Sequence, residues 1–337
     1  MSDTPALPHP TDAPAPAPVP AAYTPRRLFV TSHRPVRGLR YQVHQWGDAA
    51  QVSPARPLLV MMHGWMDVAA SFQFVVDALD AREGPSRCIV AADWRGFGGT
   101  SSGGADAFHF ADYLADLDAL IDRLSPDAPV DLLGHSMGGN IVMSYAAVRP
   151  ARVRRLINLE GFGLPAARPD QAPRRLAQWL DELKTPQRLR DYASPDEVAE
   201  RLRQNNPRMG AAEAGWLARH WAAPDAQGRW QVLGEPAHKR TNPVLYRRDE
   251  VLAGWRLIEA PVLWVEGAQT DVAKWWGKAY PREDFEERLA VVPRVERLML
   301  QDCGHMVHHD QPARVAERLQ AFLDAAQPSR PLLGPEG

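Results

Sequence analysis

From Arg26 onward the chain alternates short apolar runs with segments whose apolar residues recur at helical spacing. The runs include RPLLVMMHG, SRCIVAAD and PVDLLGHS, and the helical segments include DAFHFADYLADLDALIDRLS and MGGNIVMSYAAVRP. A continuous apolar run of this length is typical of a strand covered on both faces. Strands that alternate with helices predict an α/β fold, with a mostly parallel sheet flanked by helices.

One gap in this alternation is far longer than an ordinary connection. Residues 162–260 separate the strand-like runs INLEG and PVLWVEG, whereas most connections have about 2–6 residues. The gap holds helical patterns and five tryptophans, namely Trp179, Trp216, Trp221, Trp230 and Trp255. We therefore predict an inserted helical cap at 162–257, whose last helix belongs to the core layer.

The remaining boundaries follow from composition. The core is predicted to comprise residues 26–161 and 258–326. Residues 1–25 are rich in Pro and Ala and predict a disordered tail, because Pro lacks a backbone donor and favours extended geometry. Residues 327–337 are predicted to be a flexible C-terminal tail.

The stretch VDLLGHSMGGNIVMSYAA places Ser136 between a predicted strand and a predicted helix. A serine hydroxyl is a weak nucleophile and must be presented where a base can reach it, which a sharp strand-to-helix turn achieves. Gly134 and Gly138 flank the turn because β-carbons there would collide as strand and helix cross. The Gly-x-Ser-x-Gly pattern occurs by chance too often to be decisive alone, so partners are needed.

A histidine base is expected just past the last predicted strand. His305 lies in a loop between VERLMLQD and a final amphipathic helix, with His308 and His309 nearby. The acids and cysteines around them do not repeat at ligand spacing, so no metal is expected.

The acid that orients the histidine has three candidates. Asp271 follows the strand PVLWVEG by four residues and would stand in the loop above the sheet, so we favour it. Glu266, within that strand, and Glu160 are the alternatives. Ser136, Asp271 and His305 occur in the nucleophile–acid–base order expected on this type of sheet.

Backbone N–H groups should stabilise the oxyanion. Met137 N–H lies at a helix N-terminus, and Trp65 N–H lies in the loop VMMHGWMDVAASF that follows an earlier strand. His63 in that loop is expected to be structural. In DWRGFGGTSSGG no Lys follows the glycines, so no phosphate loop or other cofactor site is expected, and Asp93 and Arg95 should fix loops.

Bulk properties exclude several classes of function. The net charge of -2 argues against a nucleic-acid binder. Cys88 and Cys303 cannot form a disulfide framework and are expected to be buried thiols. The N-terminus lacks the basic and apolar regions of a secretory signal, and no stretch approaches the ~20 apolar residues of a membrane helix. A cytoplasmic protein without a membrane partner is expected.

Together these motifs resemble the α/β-hydrolase superfamily over residues 26–326. The resemblance is carried by HGW at His63, DWRGFG at Asp93, GHSMGG at Gly134, the acid loop at Asp271 and GH at His305. The stretches HGWMDVAASF and EPAHKRTNPVLYRRDEVLAGW are similar to the serine hydrolase-like protein branch.

The resemblance implies a serine hydrolase that cleaves a carboxylic ester or related acyl compound of a small molecule through an acyl-enzyme. The alternatives are carbon–carbon hydrolysis or acyl transfer by the same triad, or a binding protein without catalysis. A homo-oligomer is possible. Ser136 differs from the aspartate nucleophile of haloalkane dehalogenases and epoxide hydrolases, which argues against those reactions. The tryptophan-rich cap predicts a preference for short over long acyl chains, with at least one of its tryptophans facing the cavity.

Overall fold

The structure is a computed structural model that describes residues 22–84 and 86–326. Its strands are β1 (Val30–Val36), β2 (Leu39–Trp46), β3 (Leu59–Met62), β4 (Ile89–Ala92), β5 (Val130–His135), β6 (Val153–Leu159), β7 (Asp191–Tyr192), β8 (Ala222–Pro224), β9 (Trp230–Val232), β10 (Val262–Gly267) and β11 (Val295–Leu300). Its α-helices are α1 (Gln73–Glu83), α2 (Phe110–Leu124), α3 (Met137–Val148), α4 (Ala172–Leu183), α5 (Pro195–Asn205), α6 (Ala211–Trp221), α7 (Arg248–Trp255), α8 (Ala273–Trp276), α9 (Arg282–Leu289), α10 (Val307–Asp310) and α11 (Pro312–Asp324).

Eight strands form the main sheet, in the order β1-β2-β4-β3-β5-β6-β10-β11. Only β2 pairs antiparallel with its two neighbours, and all other pairs are parallel. The predicted α/β fold is therefore confirmed. Since β3, β5, β6 and β10 run in the same direction, the loops after them meet at one edge of the sheet.

Helices cover both faces of this sheet, which explains the continuous apolar runs. All four residues of β3 are buried. Val60 and Met62 pack with side chains of α2 and α3, whereas Leu59 and Met61 pack with α1 and α11 on the opposite face. Successive strand side chains point to opposite faces, so a strand covered on both sides is apolar along most of its length.

The segment between β6 and β10 contains more than the predicted helices. It holds α4, α5 and α6, and also a small antiparallel sheet in the order β7-β9-β8. Apolar residues of α5 and α6 form a third buried cluster, joined by Phe74 of α1. The last helix, α7, packs against α3 and contributes Trp255 to the main core.

Both predicted tails lie near the limits of the described residues. Tyr23 donates a hydrogen bond to Asp77 and packs edge-on against Phe74 and Trp216, so the predicted tail boundary at residue 25 lies too late. The rest of that tail, and the C-terminal tail at 327–337, lie outside the described residues. β1 begins four residues later than the predicted run RRLFVTS. Among the described helices, none is both long and apolar enough to cross a membrane.

Candidate active site

Ser136 stands at the turn between β5 and α3 in a strained backbone conformation, with φ 52° and ψ −113°. A β-carbon on Gly134 would lie 2.3 Å from the Gly138 carbonyl oxygen, and one on Gly138 would lie 2.3 Å from the Met62 carbonyl oxygen. Both positions therefore require glycine for close approach of the backbone, as the sequence predicts. The turn holds the serine side chain at the carboxyl edge of the sheet.

His305 lies in the loop between β11 and α10, and its ring reaches Ser136. His305 Nε2 is 3.0 Å from Ser136 Oγ. The rings of Trp275 and His305 pack in a T-shaped arrangement, with ring centroids 4.5 Å apart. The nucleophile and base chosen from sequence are thus in hydrogen-bond contact, the geometry that proton abstraction from serine requires.

The carboxylate that contacts His305 belongs to Glu160, directly after β6. Its Oε2 is 3.1 Å from His305 Nδ1. Its Oε1 accepts a hydrogen bond from Gly267 N–H at the end of β10. Glu160 is 1 % exposed and has φ 61°, so a second non-glycine residue of the site is held in a left-handed conformation.

Asp271, the acid favoured from sequence, does not occupy this position. It is exposed, and its Oδ1 accepts a hydrogen bond from Ala273 N at the start of α8. Glu266 is buried, but both of its carboxylate oxygens are paired with Arg282 and Arg297. The geometry therefore corrects the expectation: of the three candidate acids, only Glu160 is placed to orient His305.

Burial shifts the pKa of both titratable groups in this pair. Removal from water raises the pKa of Glu160 to about 9, with the Gly267 hydrogen bond acting in the opposite direction. Removal from water lowers the pKa of His305 to about 4. Each shift arises because burial disfavours the charged form of the group. His305 is therefore a neutral imidazole at neutral pH, the form that can accept a proton.

The two expected oxyanion donors lie around Ser136. Met137 is the first residue of α3, so its N–H is at a helix N-terminus. Gly64, which precedes Trp65, approaches the serine so closely that a β-carbon there would lie 3.1 Å from Ser136 Cβ. Trp65 and Met137 line the same cavity as the serine. The roles of these N–H groups as oxyanion donors stay a prediction.

Residues around this loop have the structural roles predicted for them. His63 Nδ1 contacts the Gly64 carbonyl, and His63 Nε2 accepts a hydrogen bond from Trp94 N–H. Asp93 accepts hydrogen bonds from backbone N–H groups of two separate loops, and Arg95 forms a two-point ion pair with Asp116. These bonds fix the loop that carries Trp65.

A cavity of about 1690 Å³ opens over the serine. Its wall combines core residues with residues of α5 and α6 from the predicted cap. Of the five tryptophans between β6 and β10, Trp221 and Trp255 line the wall, and Trp221 Nε1 donates to the Met66 carbonyl. Trp275 and Trp276, the last two residues of α8, also line the cavity.

A family model described as alpha/beta hydrolase fold matches residues 57–312. The chain belongs to this family. Over 322 residues the hydrolase is 29% identical to a 3-hydroxybutyrate-oligomer hydrolase of Cupriavidus necator, a match that covers 90% of this chain and 99% of that one. It is also 25% identical to a serine hydrolase-like protein of Dictyostelium discoideum, across 79% of this chain and 74% of the relative.

Solved structures agree with this family. The thioesterase domain from a curacin biosynthetic pathway superposes on the hydrolase with a TM-score of 0.73 at 25% identity, and it covers 87% of this chain and 99% of that domain. A hypothetical protein of Pseudomonas aeruginosa superposes with a TM-score of 0.71 at 24% identity, across 87% and 98% of the two chains, and supports the fold alone.

The arrangement can carry out nucleophilic chemistry at an acyl carbon. The neutral imidazole of His305 contacts the hydroxyl of Ser136 at 3.0 Å and the buried carboxyl of Glu160 at 3.1 Å. In addition, Asp67, His308 and His309 of the hydrolase bring three potential metal ligands within 4.8 Å of one another beside this group. Asp67 is not predicted from the sequence as a ligand, because no spacing pattern links it to histidines so far along the chain.

Proposed function

We propose that this hydrolase cleaves carboxylic esters through an acyl-enzyme formed on Ser136. The observation that carries the proposal is the continuous contact from Ser136 Oγ through His305 to Glu160. Chemistry of this kind is recognised by the geometry and the roles of the groups rather than by their sequence positions. The esterase activity, and the small-molecule substrate that the cavity would take, rest on this contact.

The steps follow from the positions of the groups. Ser136 Oγ attacks the ester carbonyl carbon while its proton passes to His305 Nε2, and Glu160 stabilises the imidazolium that forms. The carbonyl oxygen becomes an oxyanion that faces the N–H groups of Trp65 and Met137. His305 then returns its proton to the departing alkoxide, which leaves as an alcohol. A water molecule repeats the sequence on the acyl-enzyme and releases the acid.

The cavity supports a substrate that is mainly apolar but carries an anionic end. Five cationic side chains line it, against three acids, of which Asp67 and Glu160 are buried beside the serine. The cations are Arg175, Arg190, Arg201, Lys239 and Arg247. Within the described residues, Arg201 and Arg247 form no ion pair. Arginine suits carboxylate recognition because its planar fork matches both carboxylate oxygens.

An oligomer of a short hydroxy acid has these properties, with ester bonds along its length and a free carboxylate at one end. The similarity to the Cupriavidus necator 3-hydroxybutyrate-oligomer hydrolase favours this class. We therefore propose short linear hydroxyacyl esters as substrates. Short acyl chains should be hydrolysed faster than long ones, with no activation at an oil–water interface.

A fluorophosphonate probe tests the nucleophile. Intact-mass spectrometry should show one adduct, and peptide mapping should place it on Ser136. Ser136→Ala should remain folded, lose the adduct and lose ester hydrolysis by several orders of magnitude. An adduct on another residue, or full activity in the alanine variant, would refute covalent catalysis by Ser136. A folded protein with neither adduct nor hydrolysis would favour a binding protein.

Matched substrates test the carboxylate. The 3-hydroxybutyrate dimer should be hydrolysed with a lower KM than its methyl ester, which lacks the charge. Arg201→Met should raise KM for the dimer about tenfold, roughly the loss of one charge-assisted contact, and should leave KM for the methyl ester unchanged. Arg203→Met, on the exposed side of the same helix, is the control. Equal KM values for both substrates in the parent protein would contradict the proposal. In a parallel series of p-nitrophenyl esters, faster hydrolysis of the palmitate ester than of the short-chain esters would also contradict it.

A further inference from the structure

Asp67, His308 and His309 form a polar cluster next to the candidate triad. Asp67 lies two residues after Trp65, and the two histidines belong to α10, just past His305. One side-chain ligand atom from each residue lies within 4.8 Å of the other two. The cluster therefore joins the loop of the oxyanion donor to the loop of the base.

Within the described residues, this cluster contains buried polar atoms that have no hydrogen-bond partner. Asp67 is 6 % exposed, and its Oδ2 accepts a hydrogen bond from the Ser71 hydroxyl at 2.8 Å. No arginine or lysine among the described residues forms an ion pair with it. His308 is fully buried, and neither of its ring nitrogens has a hydrogen-bond partner in the described part of the chain. A buried polar group without a partner costs about 1–3 kcal/mol, so this arrangement needs a reason.

The spacing of the two buried groups fits a shared cation. His308 Nε2 and Asp67 Oδ2 are 3.8 Å apart, which is too long for a hydrogen bond. Two ligands about 2.0–2.2 Å from one zinc ion lie roughly 3.4 Å apart at the tetrahedral angle and roughly 3.8 Å apart when that angle widens to about 130°.

We propose that Asp67, His308 and His309 bind a divalent transition metal ion, for which Zn²⁺ is the probe, and that its binding inhibits hydrolysis. Imidazole and carboxylate ligands suit zinc, and three protein ligands leave a fourth position for water. Asp67 and His309 both line the cavity, so the cluster borders the substrate side.

Inhibition follows from the path that joins the cluster to the base. The His308 ring lies 4.4 Å from the His135 ring, which lies 4.9 Å from the His305 ring. His135 Nε2 also contacts the His305 carbonyl oxygen at 2.9 Å. A divalent cation bound to the carboxylate of Asp67 leaves a net positive charge near His305, which must become an imidazolium during the reaction. Like charges repel, so the bound ion should slow proton abstraction from Ser136.

Binding is tested without activity, on Ser136→Ala protein freed of metal by chelation. Calorimetry with zinc chloride should show one ion per chain, and cobalt(II) should give the visible absorption of a four-coordinate complex. His308→Gln and His309→Gln should each weaken zinc binding at least about tenfold, the order of loss known even for residues that only support a metal ligand. His33→Gln, on β1, is the control and should bind as the parent does.

His309 is only partly buried, so its variant remains informative if His308→Gln fails to fold. Equal zinc affinity in the parent and in His309→Gln, or no binding up to millimolar zinc, would overturn the site.

The inhibitory part rests on the proposed function and is tested separately. Zinc should slow hydrolysis of a p-nitrophenyl ester by the parent protein, EDTA should restore the rate, and His309→Gln should need about tenfold more zinc. Inhibition at the same zinc concentration in both proteins would mean that the ion acts directly on His305, which refutes the cluster. Binding without inhibition would refute the coupling to the base. A protein that hydrolyses no ester would refute the proposed function and leave the calorimetric result standing.

Discussion

Replacing Glu160 by glutamine removes one acceptor oxygen from the candidate triad and keeps the shape of the side chain. In the parent protein Oε1 accepts a hydrogen bond from Gly267 N–H, and Oε2 faces His305 Nδ1. A glutamine has only one acceptor oxygen. Because Gly267 N–H can only donate, it will draw the amide oxygen to itself, and the amide NH₂ will then face His305.

That orientation reverses the tautomer of the histidine. An NH₂ group that faces His305 Nδ1 requires this nitrogen to accept, so the proton moves to Nε2. A protonated Nε2 cannot take the proton of Ser136 Oγ, 3.0 Å away. The same loss of tautomer in a Ser-His-Asp triad lowers kcat about 10⁴-fold. At about 1.36 kcal/mol per tenfold change, the expected loss of transition-state stabilisation is about 5.5 kcal/mol.

The assay is the steady-state hydrolysis of p-nitrophenyl acetate by three purified variants, with circular dichroism to confirm folding. Glu160→Gln should be nearly inactive. Asp271→Asn should keep its activity within about twofold, because the side chain is exposed and surface changes are usually small. Glu160→Asp should also be impaired, since the shorter side chain withdraws the carboxylate from His305. Near-normal activity in Glu160→Gln, together with an inactive Asp271→Asn, would refute the assignment read from the geometry.

Two further predictions concern pH. Burial lowers the pKa of His305 to about 4. As the pH is lowered, kcat/KM for an uncharged ester should therefore stay constant to well below pH 6.5 and fall only when the imidazole gains a proton. A midpoint of this fall at pH 6.5 or above would contradict the prediction. Burial also lowers the pKa of His44 and His238 to about 4 and that of His135 to about 3. The native state therefore binds fewer protons than the unfolded chain below pH 6.5. The free energy of unfolding, measured in urea, should therefore decrease as the pH is lowered from about 6.5 to about 4. The decrease should be up to about 1.4 kcal/mol per pH unit for each ring. An unchanged urea midpoint between pH 7 and pH 5 would refute this prediction.

Local sequence was sufficient for the sheet, the serine and the histidine. β3 is apolar at every position and β5 at most positions because both faces are covered, and that pattern is visible without coordinates. Ser136 could be recognised because its neighbouring glycines are required by contacts within a few residues or with one adjacent strand. His305 could be recognised because it follows the last strand and precedes the last long helix. These features depend on short stretches of chain.

The acid and the polar cluster could be identified only from the tertiary structure. Asp271 and Glu160 both follow strands that end at the same edge of the sheet, so chain order and loop position fit either residue. What decides between them is that β6 lies between β5 and β10, which places Glu160 beside both Gly267 and His305. Asp67 and His308 are likewise brought together only when the loop after β3 packs against α10. Local sequence specifies the chemistry of each side chain, but the packing of strands and loops determines which side chains meet.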